Sequence, residues 1–212
     1  MALAAAAQAS TITVIQSSAA EPNLIPLLAS IYGDGNFERI DDDSDIAWGG
    51  GSLLSVRAVA TNSAASERFG VCWVCDGSDD SFFGGAFTVD GVFSVELLSD
   101  PTTWPENATL FDDATDHAFV DRVFSNPLLN PDGVDHMVSF RILNQANTYA
   151  IAFEDWIGVK SDRDFNDFLV QLTLEPEPEP LPTPEPSSLT LMLAGGIALW
   201  WSGRRFNRAA RR

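Results

Sequence analysis

At 212 residues the chain is long enough for one globular domain with sorting segments attached, and its 45% apolar share argues against wholesale disorder. Its formal charge of −18, from 12 basic against 30 acidic side chains, excludes nucleic acid as an expected partner, because no basic patch is left to displace counterions from phosphates. Arg204, Arg205, Arg208, Arg211 and Arg212 crowd the last positions, so the body is more acidic than the whole.

Residues 1–10 are rich in alanine, and Ala7-Gln8-Ala9 supplies the small residues that a signal peptidase requires. No basic n-region precedes it, so the segment reads as the remnant of a signal peptide whose start lies upstream. Residues 11–174 read as one domain. Thr11 to Gln16 is predicted as a first strand, with Ile12 and Val14 on one face. Pro22 and Pro26 can both stand in a first helical turn, and Leu24, Leu27, Leu28 and Ile31 have helical spacing; Gly33-Asp34-Gly35 stops that helix. Asp41-Asp42-Asp43-Ser44-Asp45 is predicted as an acidic loop, since like charges favour solvation over a common ion.

Strands follow at Leu54–Ala60 and Phe69–Val74. Phe87–Val89 and Val92–Leu98 flank Asp90-Gly91, a two-residue hairpin turn of the favoured type. Asp100 to Asp116, rich in Pro and Asp, is predicted as a long surface loop, and Val138–Leu143 as another strand. Cys72-Trp73-Val74-Cys75 holds both cysteines. A local disulfide and a pair of free thiols both suit it; zinc would need two further ligands, and His117 and His136 offer no matching spacing. Residues three apart in a strand lie ~10 Å from one another, whereas a bridge needs Cα atoms within ~7 Å. A bridge would therefore end the strand begun at Phe69.

The most informative stretch lies between two further strands, Tyr149–Phe153 and Phe168–Leu174. Glu154 and Asp155 open the connection, and Asp162, Asp164 and Asn166 stand at alternate positions before Asp167. Carboxylate and amide oxygens at this density suit a hard cation, and Ca2+ takes six to eight oxygen ligands in flexible geometry. An EF-hand loop is excluded: its sixth position holds Asp167 instead of Gly, and its twelfth Thr173 instead of Glu. The pairing of Phe153-Glu154-Asp155 with Ser161-Asp162-Arg163-Asp164-Phe165-Asn166-Asp167 resembles the C-terminal signature of a bacterial family of domains of unknown function. Weaker likenesses at Phe37–Asp42 through Trp48 and at Asp135–Val138 would extend the resemblance over most of Ile12–Leu174. It implies an exported β-sandwich found beside calcium-rich or adhesive modules, and it supplies no activity.

After Leu174 the composition changes. Residues 175–186 form a Glu/Pro-rich spacer of extended, semi-rigid type, ending in Pro184-Glu185-Pro186. Residues 187–203 are predicted as a transmembrane helix, ~25 Å long at ~1.5 Å per residue and so marginal for a ~30 Å hydrocarbon core. The basic tail, residues 204–212, with Arg204, Arg205 and Arg208 as membrane stop, fixes the cytoplasmic end. This order resembles the PEP-CTERM sorting signal of Gram-negative bacteria, with Thr183 where members often carry Val. The resemblance implies an inner-membrane intermediate cleaved by an exosortase, then release or transfer to the cell surface, in company with extracellular polysaccharide and biofilm matrix.

The chain has no Gly-x-Ser-x-Gly elbow, and neither histidine has a marked catalytic partner. The expectation is therefore a non-enzymatic, mainly β protein: an antiparallel, jelly-roll-like β-sandwich with one short N-terminal helix and a C-terminal transmembrane helix. A secreted carbohydrate-binding module, with exposed aromatics among Trp73, Trp104 and Trp156, or a carbohydrate-active enzyme is the alternative.

Overall fold

The computed structural model describes residues 13–17, 21–48, 53–63, 65–83, 86, 91–97, 108–115, 120–158 and 161–174. The chain is mainly β, and among these residues the strands form two antiparallel sheets. The larger sheet has the order β1 (Phe37–Arg39), β8 (Met137–Ile142), β9 (Thr148–Phe153), β10 (Phe168–Leu174), β2 (Leu53–Thr61) and β5 (Gly91–Leu97). The smaller has β4 (Ser81–Phe82), β3 (Phe69–Cys72), β6 (Thr109–Thr115) and β7 (Val120–Phe124).

Period-two alternation decides what each strand buries. Phe168, Val170 and Leu172 of β10 join Met137, Ile151 and Phe153 in a cluster that also takes Phe69, Val71, Leu110 and Val123 from the smaller sheet. The other face of β10 carries Leu169, which packs with Val138, Phe140, Ala150 and Ala152 beneath helix α1 (Leu24–Tyr32). The larger sheet is thus covered on both sides, which is why β8, β9 and β10 read as nearly continuous apolar runs. Each large side chain so buried contributes roughly 1.5–3 kcal/mol. In α1, Leu24, Leu27, Leu28 and Tyr32 form the buried stripe, Pro26 stands in the first turn, and Gly33 at φ 89° ends the helix. The pairing of Phe168 with Phe153 through Thr173 with Thr148 makes residues 154–167 one loop between β9 and β10.

Four expectations are corrected. Residues 13–17 form no strand, because their groups are spent elsewhere: the Thr13 N–H donates to Asp42, its hydroxyl to Asp135 at 2.8 Å, and the Gln16 N–H to the Arg163 carbonyl at 2.7 Å. The Asp41–Asp45 stretch is no plain loop but a short helix, α2 (Asp42–Asp45), capped by the Asp41 carboxylate. The strand from Phe69 stops at Cys72. Asp100–Asp116 is not one surface loop, since β6 runs through its second half and pairs with β3 on one side and β7 on the other. From Ala108, just before β6, Leu110, Asp112 and Ala114 continue the buried alternation while Phe111 packs against Cys72 and Phe124, so an apparently polar run is buried on both faces. At the expected Asp90-Gly91 turn, Gly91 begins β5 at φ 102° and β5 pairs with β2. The other half of that hairpin, 87–90, lies outside the described residues, as do the leader 1–10, the spacer 175–186, the predicted membrane helix 187–203 and the tail 204–212. Among the described residues no helix is long and apolar enough to cross a membrane.

Candidate cation site

Phe153 and Phe168 close the two strands that hold the 154–167 loop, and backbone bonds fix its ends. The Glu154 N–H donates to the His136 carbonyl at 3.0 Å, and the Asn62 N–H to the Asp167 carbonyl at 3.0 Å. Asp167 in turn accepts from the Asp155 N–H at 2.9 Å, which closes the loop upon itself. Further along, Arg163 (φ 59°) and Phe165 (φ 56°) adopt the left-handed region. For side chains of this kind that conformation costs on the order of 1–3 kcal/mol each, and it persists where surrounding structure enforces it. The pair breaks the alternation of a strand. It lets Asp164, Phe165, Asn166, Asp167 and Phe168 all be buried in succession.

The six residues expected to share one ion fall into two places. Glu154, Asp155 and Asp167 form a fully buried group, and Asp162 and Asp164 form a second with Glu21, a residue no sequence signal had marked. Within each group a carboxylate oxygen from every member lies within 4.8 Å of the others. Oxygens on one calcium at ~2.3–2.6 Å stand at most ~5 Å apart, so both groups have suitable dimensions. Asn166 is tied by its amide N–H groups to the Pro22 carbonyl at 2.7 Å and to Asp164 at 2.8 Å. Its Oδ1 is buried without a donor, and so is Oε2 of Glu154.

Burial, then the neighbouring Asp162, raises Glu154 to about 7 and Asp164 to about 6. Asp167 is raised by burial and then by Asp155 and Glu154. Two further acids lie against the buried group. Asp112 comes from β6 of the other sheet and Glu67 from the residues just before β3; both are 0% exposed, and their carboxylate oxygens are buried without a hydrogen-bond partner. Burial raises both, with the charges of Asp155 and Asp167 adding to it at Asp112. The signal that could have found them is an acid at an inward position of an alternating run: Glu67 before Phe69 and Val71, and Asp112 after Ala108 and Leu110. The Ser63 hydroxyl donates to Asp155 and accepts from the Ala65 N–H at 2.9 Å, which ties the end of β2 to the same spot.

These ligand atoms are all hard oxygens, which suit a calcium-type ion better than zinc or copper. The described histidine, His136, points its Nε2 at Asp132, 3.1 Å away. Beside it a hollow of about 320 Å³ is lined by Asp132, Val134, His136, Gly158, Ser161 and Arg163. Trp156, two residues before Gly158 in sequence, is 39% exposed, Trp73 packs partly against the main core, and Trp104 lies outside the described residues. Cys72 and Cys75 are joined by a disulfide with Cα atoms 4.9 Å apart. The turn between them is held by the Asp79 carboxylate, which accepts from the N–H groups of Trp73, Val74 and Cys75 at 2.6, 2.5 and 3.1 Å. The sorting residues Pro184, Glu185 and Pro186 and the stop residues Arg204, Arg205 and Arg208 lie outside the described residues.

A family model described as a domain of unknown function (DUF4114) matches residues 64–175. The match contains the 153–167 signature and the Asp135–Val138 likeness, while the Phe37–Trp48 likeness falls before it. No curated protein and no solved structure matches the chain.

Proposed function

The chain belongs to the DUF4114 family of domains of unknown function, and we propose that it is an exported protein whose jelly-roll-like β-sandwich is stabilised by calcium and serves a structural or adhesive role. The observation that carries this reading is the buried, donor-poor oxygen set of the 154–167 loop. An orphaned buried acceptor costs ~1–3 kcal/mol, and more when charged; a bound cation removes that cost and replaces the missing donors. Two features support export. The Cys72–Cys75 bridge is of a kind that persists in oxidising compartments. The C-terminal order of Pro184-Glu185-Pro186, a short apolar run and arginines suits an exosortase substrate that pauses in the inner membrane and then reaches the cell surface or matrix, with extracellular polysaccharide as its surroundings.

Melting with and without calcium tests the ion. At a free concentration ~100 times Kd, binding to the folded state alone adds ~2.7 kcal/mol, roughly 5–11 °C for a domain of this size. Asp164→Ala should lose much of that gain, and equal midpoints in every condition would sink the calcium reading. Export is tested by mass spectrometry of the protein from its host: processing removes Arg204–Arg212, and a surface pool that still carries Arg212 is a plain membrane anchor.

A secreted carbohydrate-binding module, or an enzyme acting on carbohydrate, is the second reading. The hollow lined by Asp132, His136 and Arg163 favours it, since a concave site with convergent polar groups suits a sugar. Screening the purified protein for glycan binding and glycan cleavage separates the two readings.

A further inference from the structure

The inner carboxylates of the 154–167 loop do not stand alone. On the smaller sheet, β3 and β6 are paired with Phe69 opposite Asp112; Asp112 on β6 and Glu67, two residues before β3, are both fully buried. From Glu67 the alternation continues through Phe69 and Val71, and towards Asp112 it runs through Ala108 and Leu110; these apolar partners belong to the core cluster shared by the two sheets. Glu67 and Asp112 therefore reach the end of that core where the larger sheet gives way to the loop carrying Asp155 and Asp167. Their mutual approach, and the action of Asp155 on both, place the four carboxyls in one locality.

All four oxygens of Glu67 and Asp112 are buried without a hydrogen-bond partner, and the one hydroxyl near Glu67, that of Ser63, donates to Asp155. The basic residues nearest to them in sequence and pairing belong to the opposite face. Arg68 stacks on the Phe82 ring at 3.7 Å, and Arg122 lies over Phe111 at 4.3 Å while bonding Asp80 and Asp113. A merely structural polar network would have enlisted these guanidinium groups or a set of N–H donors. What the two acids offer instead is four buried oxygens without a hydrogen-bond partner beside Asp155 and Asp167, which is the complement of a cation.

We propose that Glu154, Asp155 and Asp167 form the core of an inner calcium site, separate from the outer group of Glu21, Asp162 and Asp164, that Glu67 and Asp112 close it from the other sheet, and that its ion fastens the two sheets together. The choice of ion rests on the calcium reading of the loop; the site and its two added ligands rest on the buried orphan carboxylates. Calcium suits it better than magnesium, because magnesium keeps several waters and needs a near-ideal octahedron, whereas this cluster is buried and acid-rich. Each bond to Glu67 or Asp112 from the ion also holds Asp155 or Asp167, so unfolding either sheet alone must break the site.

Equilibrium dialysis of the full chain in detergent against radioactive calcium, paired with melting in calcium and in chelator, tests this. About two ions per chain are expected for the wild type, one for each oxygen cage. Glu67→Gln and Asp112→Asn should each weaken the inner ion at least tenfold while sparing the outer one. In chelator the same variants should melt higher than wild type, because an uncompensated buried acid has been neutralised without a change of shape. Asp162→Asn should spare the inner ion. If Glu67→Gln and Asp112→Asn bind calcium as the wild type does while Asp162→Asn loses an ion, the inner site is wrong and the loop reading survives. A single ion in the wild type that Asp162→Asn abolishes overturns the inner site without recourse to the core variants. No calcium bound by the wild type removes both.

Discussion

Replacing Asp45 by Asn should stabilise the protein at neutral and alkaline pH and leave it unchanged near pH 4. Asp45 ends α2, is 1% exposed, and accepts a hydrogen bond from the Ser139 hydroxyl at 2.6 Å. Burial first, with Asp135 and Asp42 adding to it and Ser139 and Arg39 opposing, pushes its carboxyl from 3.8 up to about 8. The folded state thus keeps a proton that the unfolded chain gives up. The stability this group supplies is fully present below the unfolded value, declines as pH rises through the interval, and is gone above the folded value near 8. Between ~4 and pH 7 about three units are traversed at ~1.36 kcal/mol each, an upper bound of ~4 kcal/mol. At ~2–4 °C per kcal/mol for a domain of this size, the variant should melt up to ~8–16 °C above wild type at pH 7. Asn keeps the acceptor for Ser139, so the substitution isolates the charge. The assay is thermal melting of both proteins in chelator from pH 4 to 9, with the difference in midpoint plotted against pH. Other acids titrate in both proteins and largely cancel from that difference. A difference that is flat with pH, or a variant less stable than wild type at pH 8, refutes the reasoning.

A methyl group at Gly70 would stand 2.3 Å from the Phe111 ring, so Gly70→Ala should cost ~1–3 kcal/mol by overpacking and lower the melting midpoint by roughly 2–12 °C; Phe111→Leu should return part of the loss, and an unchanged midpoint for Gly70→Ala contradicts the packing. Cys72→Ser with Cys75→Ser opens a very short loop, for which the chain-entropy relation gives ~2 kcal/mol; the double variant should melt below the oxidised wild type and close to the wild type held in reductant, and equal melting of all three would show that Asp79 holds the turn unaided.

How much of this was legible follows from what each residue type signals. The alternation of β2, β8, β9 and β10 and the helical spacing of α1 are visible in the chain, because apolar side chains seek the core wherever it lies. The candidate oxygen ligands of the 154–167 loop are visible for another reason: they sit close together in sequence. Glu21, Glu67 and Asp112 fail that condition, since only tertiary pairing brings them near the loop. Strands β6 and β7 were hidden by equating acidity with exposure. In β6 Asp112 turns inward, and Asp113, on the opposite face, is held by Arg122 at 3.2 Å. The same equation turned Asp45 into a loop residue.

The net charge of −18 therefore covers two populations of acid with opposite consequences. Those left in water keep the protein soluble and say nothing about a site. Those taken out of water, Asp45, Glu67, Asp112, Glu154, Asp155, Asp164 and Asp167, each carry a desolvation cost of several kcal/mol if ionised and unpaired. Set beside a total stability of 5–15 kcal/mol for a typical domain, so many uncompensated charges would unfold the chain. Something neutralises them. Near Asp45 a proton suffices, since a single carboxyl with a hydroxyl donor can stay neutral up to about 8. In the two carboxylate groups at the 154–167 loop several acids share one place, and protonating all of them at neutral pH is itself costly. On the calcium reading proposed above, proton and cation compete for the same oxygens, so calcium binding would release protons. Titration calorimetry in two buffers of different ionisation enthalpy reads that release directly; a calcium enthalpy independent of buffer would mean that the oxygens were already ionised and that the buried charges are balanced by some other means.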